Sequence, residues 1–223
     1  MDSALEIALL WLAFAATHVG LSSLPVRRRL VAVLGDAAFA ALYSVIALGL
    51  FVPLVWIYFA HKHEGPALWL LPRGPWLTAT VYVGMGLALV LFASSFLQPS
   101  PAGMAPASLT PRGVQRITRH PLVMSFALFG LVHVLPNGWA TDVAFFGGFP
   151  LFGLIGASHQ DRRKLVAGPK GYAAFVAETP LVPFTGRDTL RGLRELSLLA
   201  VAIGLALAVA IRFFHPRLFG GNP

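Results

Sequence analysis

The chain has 223 residues, of which 57% are hydrophobic and only 12% charged, and its mean hydropathy is +0.73. A soluble domain carries about 25% charged residues, so this composition excludes an ordinary water-soluble fold and points to an all-α polytopic membrane bundle. The net charge is +8 and cysteine is absent, which excludes disulfides, thiolate metal sites, iron–sulfur ligation and covalent haem attachment.

Six apolar segments approach the ~20 residues that a helix needs to cross a bilayer. In chain order they are Leu5 to Leu21, Ala37 to Phe59, Trp76 to Leu97, Leu122 to Leu135, Ala140 to Ala157 and Leu193 to Phe214. Asp2 and Glu6 precede the first and its arginines follow it, so it reads as a retained helix and not as a cleavable signal. Asp36 reads as the N-cap of the second. Thr110-Pro111, at the end of the Pro/Ala/Ser-rich loop Pro99 to Thr110, opens an interfacial helix that puts Arg112, Arg116 and Arg119 on one face. Pro121 biases His120 away from helical angles and marks a bend before the fourth segment. That segment is short: it spans if it extends back through Ile117 or if the bilayer thins, and otherwise forms a re-entrant pair with the fifth around Pro136-Asn137-Gly138. In the fifth, Gly147-Gly148 and Gly153-x-x-Gly156 suit close helix packing. A short helix around Tyr172 to Ala177 and an extended Thr179 to Phe184 follow. No fixed-period repeat occurs, so residues 1–223 read as one domain.

Of the 17 Lys and Arg, all but Lys62, Arg73, Arg212 and Arg217 fall in the loops after the first, third and fifth segments. By the positive-inside rule those loops are cytoplasmic and both termini lie outside. Topology and anionic lipid account for the basic charge, and no soluble domain is present to carry a nucleic-acid surface. Trp56, Tyr58, Trp69, Trp76 and Trp139 fall near the outer boundary and read as an aromatic belt.

Histidine carries the chemistry. His18 lies ~20 Å from the outer edge of a ~30 Å core, His133 well along the fourth segment, and His120 and His159 at cytoplasmic segment ends. A histidine in a membrane helix either hydrogen-bonds to a neighbouring helix or ligates a metal or haem iron through neutral imidazole. At the cytoplasmic face Arg116, Arg119, His120, His159, Asp161, Arg162 and Tyr172 converge if the fourth and fifth segments pair, with Asp161 as counter-ion. That cluster reads either as an anionic cofactor or headgroup site or as a salt-bridged cap joining two helices. His61 and His63 fall in a solvated outer loop.

Several of these stretches together resemble the NnrU family of bacterial inner-membrane proteins, associated with nitrogen-oxide and denitrification metabolism. They are Thr17-His18-Val19-Gly20-Leu21, Arg116-Ile117-Thr118-Arg119-His120-Pro121, Phe126 to His133, Phe146-Gly147-Gly148-Phe149, Asp161-Arg162-Arg163 and Pro183-Phe184. The chain also looks like a distant cousin of zeta-carotene isomerase, a resemblance that implies haem b held non-covalently by His18 and His133, provided that the first and fourth spans adjoin. A second cousin is the family of isoprenylcysteine and phospholipid membrane methyltransferases, whose Arg-His-Pro segment implies S-adenosylmethionine at Arg116, Arg119 and His120. Their glutamate pair is replaced here by His159-Gln160-Asp161-Arg162, which weakens that likeness. Three functions are therefore open: a haem protein acting on nitrogen oxides or a hydrophobic substrate with a membrane redox partner, a membrane methyltransferase, and a non-catalytic accessory protein.

Overall fold

A computed structural model describes residues 2–103 and 107–220, so part of the loop between Pro99 and Thr110 lies outside the described residues. The described residues fold into ten helices: α1 (Ser3–Ser22), α2 (Leu24–Leu34), α3 (Asp36–Ala60), α4 (Pro75–Leu97), α5 (Val114–Ile117), α6 (Pro121–Val134), α7 (Ala140–Ala167), α8 (Tyr172–Glu178), α9 (Thr189–Arg194) and α10 (Leu198–Phe219). Five of these, α1, α3, α4, α7 and α10, are long and apolar enough to cross a membrane, and the chain is a multi-pass membrane protein.

The helix starts follow local chemistry. Asp2 caps α1 through a 3.0 Å bond from Ala4 N, Ser197 Oγ caps α10, and Pro75 and Pro121 stand at the first turns of α4 and α6. Asp36 does not cap α3 as expected. Gly35, with φ +81°, turns the chain there, and Asp36 instead pairs with Arg27 at 3.2 Å. The arginine-bearing segment after α1 is itself a helix, α2.

Hydrogen bonds between helices fix their directions. At one end, called the arginine-rich end, Arg163 of α7 reaches Ser22 at the close of α1, and Gln98 beyond α4 reaches Glu195 before α10. At the opposite end Tyr58 of α3 bonds Asp142 of α7, and Lys62 bonds Phe219 of α10. The α6–α7 turn also lies at that opposite end, where Gly138 O accepts from Leu68 N. The start of α6 is tied into the arginine-rich end by Thr118 and Arg119. The 14 residues of α6 cover only ~21 Å, yet it runs between the same two polar layers as its longer neighbours. The start of α1 and the end of α10 lie at the arginine-poor end. The extensively packed pairs are α3 with α1, α1 with α7, α7 with α6, α6 with α4 and α4 with α10.

Close approach has a sequence cause. Gly130 of α6 faces α7, where an added Cβ would stand 2.8 Å from Phe149 Cβ and 2.9 Å from Pro150 Cδ. Gly148 receives the Trp11 indole, whose Nε1 donates to Phe145 O at 3.0 Å. Around Trp11 an aromatic core gathers Phe14, Phe51, Tyr58, Phe145, Phe146, Phe149 and Phe152. Tyr58 is therefore a core residue and not part of a belt, whereas Trp56 and Trp76 stay exposed.

Candidate functional site

The densest polar cluster lies at the arginine-rich end. His120 is the N-cap of α6, turned out of helical geometry (φ −118°, ψ 59°) before Pro121, as the sequence predicts. The residues ahead of it run extended beside the segment after α8: Thr118 Oγ1 donates to Leu181 O, and Arg119 N donates to Pro180 O. This brings three donors onto one carboxylate. Asp161 accepts from Arg119 Nε at 2.7 Å, from His120 Nε2 at 2.8 Å and from Tyr172 Oη at 2.6 Å. Arg119 Nη1 goes to Thr179 O at 2.6 Å. Burial, with the bond to Asp161 and its charge, pushes the Tyr172 phenol well above its ordinary range, so Tyr172 remains a donor.

Arg116 does not join this cluster. The helix expected from Thr110 is only α5, four residues that begin after Gly113 (φ +52°), and Thr118 is already extended, so Arg112, Arg116 and Arg119 share no helical face. Arg116 instead pairs with Asp188 at 2.8 Å and Glu195 at 3.1 Å, and Glu195 also accepts from Gly113 N and Arg191 Nε. The Gly113 amide, then Arg191 and Arg116, hold the Glu195 carboxyl down to about 2. Arg162 is exposed. His159 turns toward the α1 end, where its Nε2 is buried with no hydrogen-bond partner among the described residues. The expected seven-residue convergence thus resolves into the Asp161 knot, a separate Arg116 knot and two outlying side chains.

His18 and His133 occupy the aromatic core. His18 packs against Phe14, Tyr43 and Phe152, with ring centroids 4.7 to 5.2 Å away. His133 stacks on Phe146 at 4.8 Å, and its Nδ1 donates to Phe129 O at 2.8 Å, which leaves Nε2 as the basic nitrogen. That is the donor state an iron ligand needs, so the chemistry of the donor fits haem at His133. Pairing the two histidines across one macrocycle does not fit. Their helices, α1 and α6, flank α7, and Phe146 and Phe152, which the two imidazoles touch, are separated by ~9 Å of helix rise. Phe149 fills the intervening layer, against Trp11 on one side and Phe129 on the other.

Two further features were not legible in the sequence. At the opposite end, Asp142 is fully buried in the first turn of α7 and accepts from Tyr58 Oη at 3.0 Å, His63 N at 3.3 Å and His63 Nδ1 at 2.9 Å. His63 has a left-handed φ of +62°, so the contact holds a strained residue and the loop is not merely solvated. The second feature is a groove of about 580 Å³ between α4 and α6, lined by Ala79, Thr80, Val83, Gly84, Leu131 and Val132 among others, with Thr80 as the one polar member. It opens to the outside of the bundle, where Val83, Leu87 and Leu131 are exposed.

Two curated relatives are similar to this chain, both named 15-cis-zeta-carotene isomerase, chloroplastic. The one from Arabidopsis thaliana is 28% identical over 232 residues, covering 97% of this chain and 62% of its own length. The one from Zea mays is 26% identical over 179 residues, covering 79% of this chain and 48% of its own. The chain thus spans about half to three fifths of these relatives. No solved structure matches. The family model described as NnrU protein matches residues 6–223, nearly the whole chain, and the protein belongs to the NnrU family.

Proposed function

We propose that this protein is a multi-pass protein of the bacterial inner membrane that isomerises a double bond in an extended apolar substrate taken sideways from the bilayer. The observation that carries this reading is the α4–α6 groove, apolar almost throughout and open to the outside of the bundle, where a linear hydrocarbon can lie without crossing water. The relatives' name supplies the substrate class, a polyene of the zeta-carotene kind. His133 is on the helix that lines the groove, one residue beyond Val132, and its anchored Nδ1 supports the proposal that it holds haem b. His133 would hold the haem, and a bound haem b would supply a redox-active iron beside the substrate. His18, on the far side of α7, is the second histidine to test. S-adenosylmethionine is the alternative cofactor, but Arg119 and His120 are both committed to Asp161, which works against it.

The experiment is purification in mild detergent after expression with haem, with oxidised and reduced spectra and chromatography of 15-cis-zeta-carotene isomers. A Soret band and isomer conversion, both lost in His133→Ala, are expected. Thr80→Trp, which fills the exposed groove, should slow conversion and leave the Soret band in place. A Soret band without conversion overturns the isomerase reading. Conversion without a Soret band overturns the haem assignment alone.

A further inference from the structure

Where α1, α2 and α7 meet at the arginine-rich end, positive charge exceeds what the protein itself neutralises. Arg163 of α7 is half-buried, and its Nη1 donates to Ser22 O at 3.2 Å, closing the carbonyl end of α1. Among the described residues it has no carboxylate within ion-pair distance, and the charge acting on it from α2 is another guanidinium, Arg27. Arg27 has one acidic partner, Asp36, whose side chain is 78% exposed. The cation next along α7, Lys164, is spent on the carbonyls of Pro101 and Gly103. One turn before Arg163, His159 also reaches the Ser22 backbone, and its buried Nε2 has no hydrogen-bond partner among the described residues. Two guanidiniums and an imidazole thus surround a corner that offers them backbone oxygen and one solvated carboxylate.

The position of this corner identifies the anion. Ser22 ends one span and Arg163 lies four residues before the end of another, so the corner is at the edge of the hydrocarbon, where an unneutralised charge is costly. Between the spans, α2 buries none of its side chains and exposes Val33 at 82% beside Arg27, Arg28 and Arg29, the pattern of a helix lying in the membrane interface. We propose that this corner binds the phosphodiester of an anionic membrane lipid, with Arg163 and Arg27 on its oxygens and the His159 imidazole packed beside them. Guanidinium groups suit phosphate because their paired N–H bonds match two of its oxygens. Diffuse attraction of a basic loop to an anionic surface would draw on Arg28 as much as on Arg27, whereas a built site would not. This inference is independent of the isomerase reading.

The test is thermal unfolding of the full chain in phosphatidylcholine nanodiscs, with and without phosphatidylglycerol, for the wild type and for Arg27→Gln, His159→Gln, Arg163→Gln and Arg28→Gln. Phosphatidylglycerol is expected to raise the wild-type Tm by several degrees in a saturable way. The gain should vanish in Arg27→Gln, shrink in His159→Gln and persist in Arg28→Gln, which removes the same charge from the same helix. Arg163→Gln also loses the tie to α1, so Arg27→Gln and His159→Gln decide the matter if it fails to fold. Equal Tm values in the two lipids, or equal losses in Arg27→Gln and Arg28→Gln, would overturn the site. Millimolar inorganic phosphate reproducing the gain in phosphatidylcholine would overturn the assignment to lipid.

Discussion

Asp161 holds four parts of the chain together, because its acceptors meet side chains from the segment before α6, the start of α6 and the start of α8. Replacing it by Asn leaves Arg119, with only 12% side-chain exposure, without its counter-charge. Breaking such a pair costs about 3–5 kcal/mol, so Asp161→Asn should unfold far earlier than wild type in a denaturant titration in detergent. Tyr172→Phe removes one donor and should cost about 1–3 kcal/mol by the same measure. Glu195 gives a pH signature. Its carboxyl titrates at about 2 in the folded protein against an ordinary 4.5, so its stabilisation is complete above pH 4.5 and fades as pH falls toward 2. Glu195→Gln should flatten that part of the stability–pH curve. The Arg119–Asp161 pairing was legible because an acid beside basic residues at a span end has few other partners. The Asp142–His63–Tyr58 contact was not, because it joins residues 79 and 84 positions apart and each looked ordinary in its own segment.

Helices were legible where apolar length alone decides them. The expected segments recur as α1, α3, α4, α6, α7 and α10 with shifted ends, and the shifts have local reasons. The fifth extends to Ala167 because its basic tail continues as helix beyond the apolar stretch, and the sixth starts at Leu198 because α9 and the Ser197 cap come first. Helix α2 was missed because three successive arginines read as loop when the sequence is scanned for apolar runs. Its role appears only once α1 and α3 are seen on either side. The glycines of α7 were read correctly at Gly148 and Gly153, which meet Trp11 and Ala127, while Gly147 meets nothing. Gly130 of α6 is the more sensitive position. Gly130→Ala drives a methyl into the Phe146 backbone oxygen and against Phe149 and Pro150 and should cost about 1–3 kcal/mol or more through overpacking, read as a lower Tm, whereas Gly147→Ala should leave Tm unchanged.

Across the whole molecule the helices stand in the neighbour order α3, α1, α7, α6, α4, α10, which differs from their order in the chain. No sequence pattern encodes that order, and it is why the expected approach of His18 to His133 became two separate aromatic niches. The order also bears on how the protein is made. In chain order α1 and α3 come first and pack against each other, and α4 and α6 come next and do the same. These two pairs make no extensive contact with each other. Only α7, arriving fifth among the long helices and α6, offers Gly148 to Trp11 and Phe149 to Phe129, and so joins them. A nascent chain halted before Ala140 is therefore two loose halves in the bilayer, open to quality-control proteases, and assembly waits for a single late-inserting helix.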